Sequence, residues 1–374
     1  MNFASSPRRH QMGRLVIEVE GEDPTLDHIQ TELGSLREPK DMQAPHLKFT
    51  FGPPNRPPED AASAGMVTVG HDHLSASHNR YRYSVERVNE VTQIRIQSSL
   101  GIWSREPFAS LVRIPDPSFL DGPGRLAKTF FYRVFDPWTQ VEQLRHGQTW
   151  VHASAATNGL ATALIVAWGG VGKTSSMLQL LRSGGWQYLA DDLALVDESG
   201  LVYRSPKHVQ VYAYNLAGDA SLAERFLAER PSLDRAHWNL SLKLRGPETV
   251  RRRIAAADAF GSHAVAEEGL LTHAVFLRKS QGGQVRLRDI SYSQLAELAS
   301  SVLLHELEPL PALSMAAYST GFAVPIPRLR DLETRSTEIL QGALTRRDAK
   351  VALVDVPKGT RPAQLGSFLR SYFE

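Results

Sequence analysis

Glycines, a lysine and a threonine stand together in the stretch Ala167-Trp168-Gly169-Gly170-Val171-Gly172-Lys173-Thr174. Residue types in this order suit phosphate binding. Glycine admits backbone conformations that a Cβ forbids, so successive N–H groups can converge on one anion. Lys173 can reach the β- and γ-phosphates of a nucleotide, and the Thr174 hydroxyl can hold a Mg²⁺ ion. Gly169, Gly170, Val171, Gly172, Lys173, Thr174 and Ser175 are therefore the candidate nucleotide-binding residues. Ala167 stands where the strict pattern has glycine, and it is the smallest substitute.

The flanks supply the elements that such a loop needs. An apolar run precedes it, with a strand expected over Ala161–Val166. Met177, Leu180 and Leu181 recur at helical spacing, so a helix is expected over Thr174–Arg182, ended by Gly184-Gly185. The N-terminus of that helix would aim its N–H groups and dipole at the phosphates.

Two further features lie at suggestive distances. His152 precedes Lys173 by 21 residues, and Asp191-Asp192 follow it by 18 and 19. The second spacing lets a helix run out, turn and return as a neighbouring strand, which would carry two carboxylates to the phosphate site. Transfer to a hydroxyl needs such a group, because the acceptor loses a proton and Mg²⁺ needs oxygen ligands. Read from the residues alone, Asp191-Asp192 is either that group or a solvated strand end, and His152 is either a site residue or a core histidine.

At these positions the chain resembles the HPr kinase/phosphorylase family and its related P-loop serine kinases. The residues that carry the resemblance are His152-Ala153, the turn Thr157-Asn158-Gly159, the loop at 167–174 and Ala190-Asp191-Asp192. Pro206 and the strand after it fit as well, and Thr272–Arg278 looks like a later core strand of that family. The resemblance implies an α/β P-loop kinase domain, closer to phosphoenolpyruvate carboxykinase than to small GTPases. It implies ATP held by Lys173 and the loop backbone, with Mg²⁺ shared by Thr174 and Asp192. One of Asp191 and Asp192 would be the base, the other would support it or the metal, and His152 would lie near the transferred phosphate. The implied substrate is a Ser or Thr hydroxyl of a peptide or protein, and the implied assembly could be a homo-oligomer. The family's second signature, Glu-x-Arg-Gly-Leu-Gly, is missing. Leu242-Lys-Leu-Arg-Gly246 echoes it at the wrong distance, with Lys243 in place of the acid. The reverse phosphorylase reaction and HPr itself as substrate are therefore not implied. The other readings kept open are a nucleotide-gated regulatory or assembly module and a small-molecule hydroxyl kinase. No Asn-Lys-x-Asp guanine motif occurs.

Around this core, the 374 residues suffice for two domains. A tail is expected over 1–14, a mainly β, α+β region over 15–145, and the P-loop domain over 146–374. In the first half, Tyr81–Val88 and Val91–Ile96 alternate as strands about an Asn89-Glu90 turn. Helical pattern appears near 124–135. In the second half, strands are expected over Leu193–Val196, Gly200–Tyr203, His208–Tyr214, Thr272–Leu277, Val285–Leu287 and Lys350–Val354. Helices are expected over Leu222–Glu229, Tyr292–Glu306, Leu329–Thr345 and Ala363–Tyr372.

A hydrophobic content of 42%, a charged content of 22% and a net charge of +2 are those of an ordinary globular protein, with neither nucleic acid nor membrane expected as partner. There is no cysteine, which excludes disulfides and thiolate chemistry. The polar, basic stretch at 1–14 lacks the apolar region of a secretory signal, so the cytoplasm is the expected compartment. His71-Asp72-His73 with His78 reads as a surface loop rather than a metal site. Asp197 and Asp355 read as strand ends. Arg245, Arg251, Arg252, Arg253 and Arg278 are equal candidates for neutralising transferred charge or docking an acidic substrate.

Overall fold

The computed structural model describes residues 5–40, 43–78, 80–99, 113–216, 220–228 and 230–374. The chain is mixed α/β with several sheets. The first is eight-stranded and is built from β1 (Ser5–Met12), β2 (Leu15–Gly21), β3 (Leu47–Phe51), β4 (Ala62–Ala64), β5 (Val67–Gly70), β6 (His73–His78), β7 (Tyr81–Val88) and β8 (Val91–Ser98). Asn89 and Glu90 take φ of 48° and 67°, the left-handed pair that a two-residue hairpin turn demands, and β7 pairs with β8 as expected.

The tail expected over 1–14 is corrected over its described part, with residues 1–4 outside the described residues. Ser5–Met12 is an edge strand paired with β2. Among its described side chains only His10 and Met12 are buried, so there is little apolar period to read. Helix α1 (Leu26–Leu33), α2 (Gly122–Phe130), a π-helical turn (Phe131–Phe135) and α3 (Asp136–Arg145) cover this sheet. Phe49, Phe130, Phe131, Phe135 and Trp138 fill the space between, all fully buried. Burying such rings stabilises by about 1.5–3 kcal/mol each.

The second sheet carries the phosphate-binding loop. It comprises β10 (Ala153–Thr157), β11 (Thr162–Ala167), β12 (Gln187–Ala190), β18 (His273–Ser280), β19 (Arg286–Asp289) and β20 (Lys350–Pro357), in the order β12-β10-β11-β18-β20-β19. The core trio β11, β18 and β20 is parallel. Alternate residues of β11 face opposite ways. Ala163, Ile165 and Ala167 meet α4 (Lys173–Arg182) and α12 (Pro362–Phe373). Leu164 and Val166 meet α9 (Tyr292–Glu306) and α11 (Leu329–Arg347). Both faces are covered, which is why the strands read as continuous apolar runs. Helix α9 has the expected bounds because a Ser291/Gln294 capping box marks its start.

A third sheet orders β17 (Glu268–Leu270), β14 (Leu201–Tyr203), β13 (Ala194–Asp197) and β9 (Gln148–Val151). A two-stranded ribbon joins β15 (Val209–Tyr212) to β16 (Arg251–Ile254). The strand expected over His208–Tyr214 stops at Tyr212, where α5 (Ala213–Leu216) begins, its turn fixed by Asn215 Oδ1 accepting from the Tyr212 N–H. The helix expected over Leu222–Glu229 is α6 (Ala220–Ala228), and Glu229 lies outside the described residues. Helices α7 (Ser232–Arg245), α8 (Ala256–Phe260) and α10 (Pro309–Ser319) complete the chain.

Candidate active site

Strand register builds the site. Ala153 at the start of β10 pairs with Val166 at the end of β11, and Ala155 pairs with Ala190 at the end of β12. The residues just beyond these ends therefore meet: His152 before β10, the loop after β11, and Asp191-Asp192 after β12. They line a cavity of about 330 Å³.

The loop after β11 turns through Gly170 and Gly172, at φ of +72° and +117°, a region that L side chains rarely adopt. Helix α4 then opens on Lys173, so its N-terminal N–H groups face the loop. Lys173 is buried; its Nζ donates to the Ala167 carbonyl at 2.9 Å and lies 3.1 Å from His152 Nε2. Burial pulls its pKa down, while Asp192, Asp191 and Glu306 pull it up. No carboxylate among the described residues lies within ion-pair distance of Nζ. A buried ammonium so placed fits an anion on the loop.

The two aspartates have separate partners. The Asp191 carboxylate accepts from Ser154 Oγ at 2.6 Å and from Thr174 Oγ1 at 2.9 Å. Asp192 takes a φ of 75°, a strained conformation for a residue with a Cβ. Its carboxylate accepts from Lys207 Nζ at 2.9 Å and lies 3.5 Å from His152 Nε2. Burial pushes the Asp191 carboxyl up, with the adjacent Asp192 charge adding to it. Burial acts on Asp192 too, but Lys207 and His152 outweigh it and hold Asp192 well below the usual carboxylate range.

The expected metal pair was Thr174 with Asp192; the carboxylate that the Thr174 hydroxyl contacts is Asp191. Thr174 Oγ1 and Asp191 are hard oxygen donors and fit a Mg²⁺ ion. Among the described residues no cluster of three or more His, Asp or Glu side chains could hold a metal. The remaining ligands would then come from phosphate and water, as is usual for Mg²⁺.

Lys207, Asp136, Tyr132 and Glu306 complete the site, and sequence reasoning missed all four. Lys207 Nζ bridges Asp192 and Asp136 at 2.9 Å each and sits 4.2 Å from the Tyr132 ring centroid. Burial alone would pull the lysine down, but Asp136, Asp192 and Tyr132 hold its pKa well above the ordinary value. Glu306 Oε1, at the end of α9, lies 3.3 Å from His152 Nδ1. A Pro206-Lys207 pair shortly after two aspartates was the one available signal, and it is weak.

Of the loop residues, Gly169, Gly170, Lys173 and Thr174 line the cavity. Val171 packs on the core, and the Ser175 hydroxyl turns away to accept from Asn215 Nδ2. The rival aspartates are engaged in structure: Asp197 receives Ser199, Leu201 and Tyr203, and Asp355 is clamped by Arg278 and Arg288. His73 is buried in β6 against Glu86 and Ser75 rather than sitting in a surface loop, while His71 and Asp72 form an exposed turn. Arg252 is spent on Asp234, Arg253 on Glu32, and Arg245 on the Pro115 carbonyl.

No protein-family profile matches the chain, and no curated protein does. Among solved structures, the chain is similar to the HPr(Ser) kinase/phosphatase from Coxiella burnetii, with 12% identity, a TM-score of 0.28, and coverage of 60% of this chain and 95% of that one. Overlap of that extent assigns no activity, so the assignment rests on the side chains. Among the described residues, no helix is long and apolar enough to cross a membrane.

Proposed function

We propose that this protein is an ATP-dependent phosphotransferase that moves the γ-phosphoryl group to a hydroxyl, on a Ser or Thr of a peptide or protein. One observation carries the reading: a glycine loop with a buried lysine shares a cavity with a carboxylate held ionised. Triphosphate binding is supported by Lys173 and the N–H groups of the loop and α4. Mg²⁺, held by Thr174 and Asp191, would neutralise charge on the transferring group. Asp192 accepts a hydrogen bond from the acceptor hydroxyl and takes its proton as the new O–P bond forms and the bond from the γ-phosphorus to the bridging oxygen breaks, with ADP leaving. Lys207 and His152 keep Asp192 ionised and aimed. His152, between Lys173 and Glu306, stands where it can donate to a phosphate oxygen.

The test is incubation with γ-labelled ATP, Mg²⁺ and a panel of Ser/Thr peptides and small hydroxyl compounds, with nucleotide binding measured in parallel. Labelled phosphoester, lost in the Asp192→Asn variant while ATP still binds, is the expected result. Binding of ATP with no labelled product would favour a nucleotide-gated module instead. Label only on small compounds would move the acceptor to that class.

A further inference from the structure

The β15–β16 ribbon forms one wall of the cavity. Two of its four cross-strand pairs are Gln210 with Arg253 and Tyr212 with Arg251. Alternation puts these four side chains on one face. Gln210 and Tyr212 line the cavity, so both arginines lie on that side of the ribbon. The opposite face is closed: Val209 and Val211 are buried and Arg252 is paired with Asp234.

Arg253 is neutralised by Glu32. Arg251 is not. Among the described residues, its guanidinium lies 5.4 Å from the Tyr212 ring centroid and reaches only the Thr249 carbonyl at 3.5 Å, and its buried Nε has no partner. Lys128 comes to the same wall from α2. Its Nζ is 3.4 Å from Gln210 Oε1 and 5.9 Å from the Tyr132 ring centroid. Among the described residues neither cation has a carboxylate within ion-pair distance. Burial, helped by Arg251 and Arg253, pulls the Lys128 pKa down to about 8. Partly buried cations that repel one another and lack a counter-ion cost stability, and such arrangements concentrate where a ligand supplies the missing charge.

The contacts also say which ligand. Both Lys128 and Lys207 lie near the Tyr132 ring, at 5.9 and 4.2 Å from its centroid, and Lys207 holds Asp192. This chain of contacts ends on Asp192, the carboxylate proposed to take the proton. Resting on the phosphotransfer reading, we propose that Lys128 and Arg251 form an anion subsite for the acceptor. The acceptor peptide then carries a carboxylate or phosphate close to its reacting hydroxyl, held by these two cations while the hydroxyl faces Asp192.

The experiment uses the full chain and Ser peptides that differ only in the residues beside the serine: Asp, phosphoserine, Ala or Lys. Binding is measured by fluorescence anisotropy with a non-hydrolysable ATP analogue present, and transfer is measured separately. At least tenfold tighter binding of the Asp or phosphoserine peptide than of the Ala peptide is expected. In Lys128→Met and Arg251→Met that preference falls to about the Ala value, with ATP affinity unchanged. The preferred peptide also tells a carboxylate site from a phosphate site. Equal binding of all four peptides overturns the subsite, as does a loss of ATP affinity in the variants that matches the loss of peptide affinity. Anionic-peptide preference without any transfer would instead leave the subsite standing and overturn the kinase reading.

Discussion

Asp191 and Asp192 are consecutive, yet one carboxyl is pushed up by burial and the other is held far down by Lys207 and His152. Their environments differ because Asp192 adopts a φ of 75°, which turns it toward Lys207 while Asp191 stays under Ser154 and Thr174. Two carboxyl groups pushed apart in this way can hold two roles; on the proposed reading, one stands beside Mg²⁺ and the other beside the acceptor.

The two roles predict different failures. Asp192→Asn should slow phosphoryl transfer about 10²–10⁴-fold, the usual contribution of a general base, with little change in the Mg²⁺ concentration needed for half-maximal rate. Asp191→Asn should instead raise that Mg²⁺ requirement. Single-turnover transfer across a Mg²⁺ titration separates them, and identical titration curves for both variants would falsify the division.

Lys207 and Asp136 are each about 1% exposed. Removing one member of a buried ion pair costs about 3–5 kcal/mol. Urea unfolding of Lys207→Met should show a loss of that size. Neutralising the stranded partner, in Lys207→Met with Asp136→Asn, should recover part of it. A double variant less stable than the single one would contradict the pairing.

The lowered pKa of Lys128, about 8, gives a pH dependence. The group is charged below that value and loses its proton as pH rises through it. Arg251, Arg253, Asp116 and Asp192 are the charges that act on it. The Km for an anionic acceptor should be flat below about pH 7 and rise about tenfold per unit above pH 8, if one charge governs binding. Lys128→Arg should flatten the profile, since guanidinium stays charged. A flat profile in the parent protein would remove Lys128 from acceptor binding.

Gly172 has φ of +117°, and a Cβ there would come 3.1 Å from Leu365 Cδ2. Gly172→Ala should cost roughly 1–3 kcal/mol of strain and weaken ATP binding, because the loop N–H groups lose their aim. Calorimetric titration with ATP and thermal melting check the two halves of this statement. Unchanged ATP affinity would mean that the loop N–H groups do not depend on this turn.

What was legible in the sequence was local. The loop, α4 and the hairpin at Asn89-Glu90 carry their signals within a few residues, and α9 starts on its own capping box. Helix α3 was not legible because nine of its ten residues are buried, which erases the amphipathic period. Strand β1 was missed for the opposite reason, since among its described side chains only His10 and Met12 are buried. His152, Asp191 and Asp192 could be named because the strand–loop–helix–strand path that joins them is short. Lys207 and Asp136 are 71 residues apart and meet only through packing of separate layers, so nothing in either neighbourhood announces the other.

Lys207 is gripped by Asp136 at the start of α3 and by Tyr132 in the π-helical turn, both part of the stack that covers the first sheet. Asp192, the proposed base, is therefore aimed by a lysine that a different layer holds in position. Softening of that layer would let Lys207 drift while the loop and α4 still gripped nucleotide. On the proposed reading, catalysis would then fade before nucleotide binding does on heating or limited proteolysis.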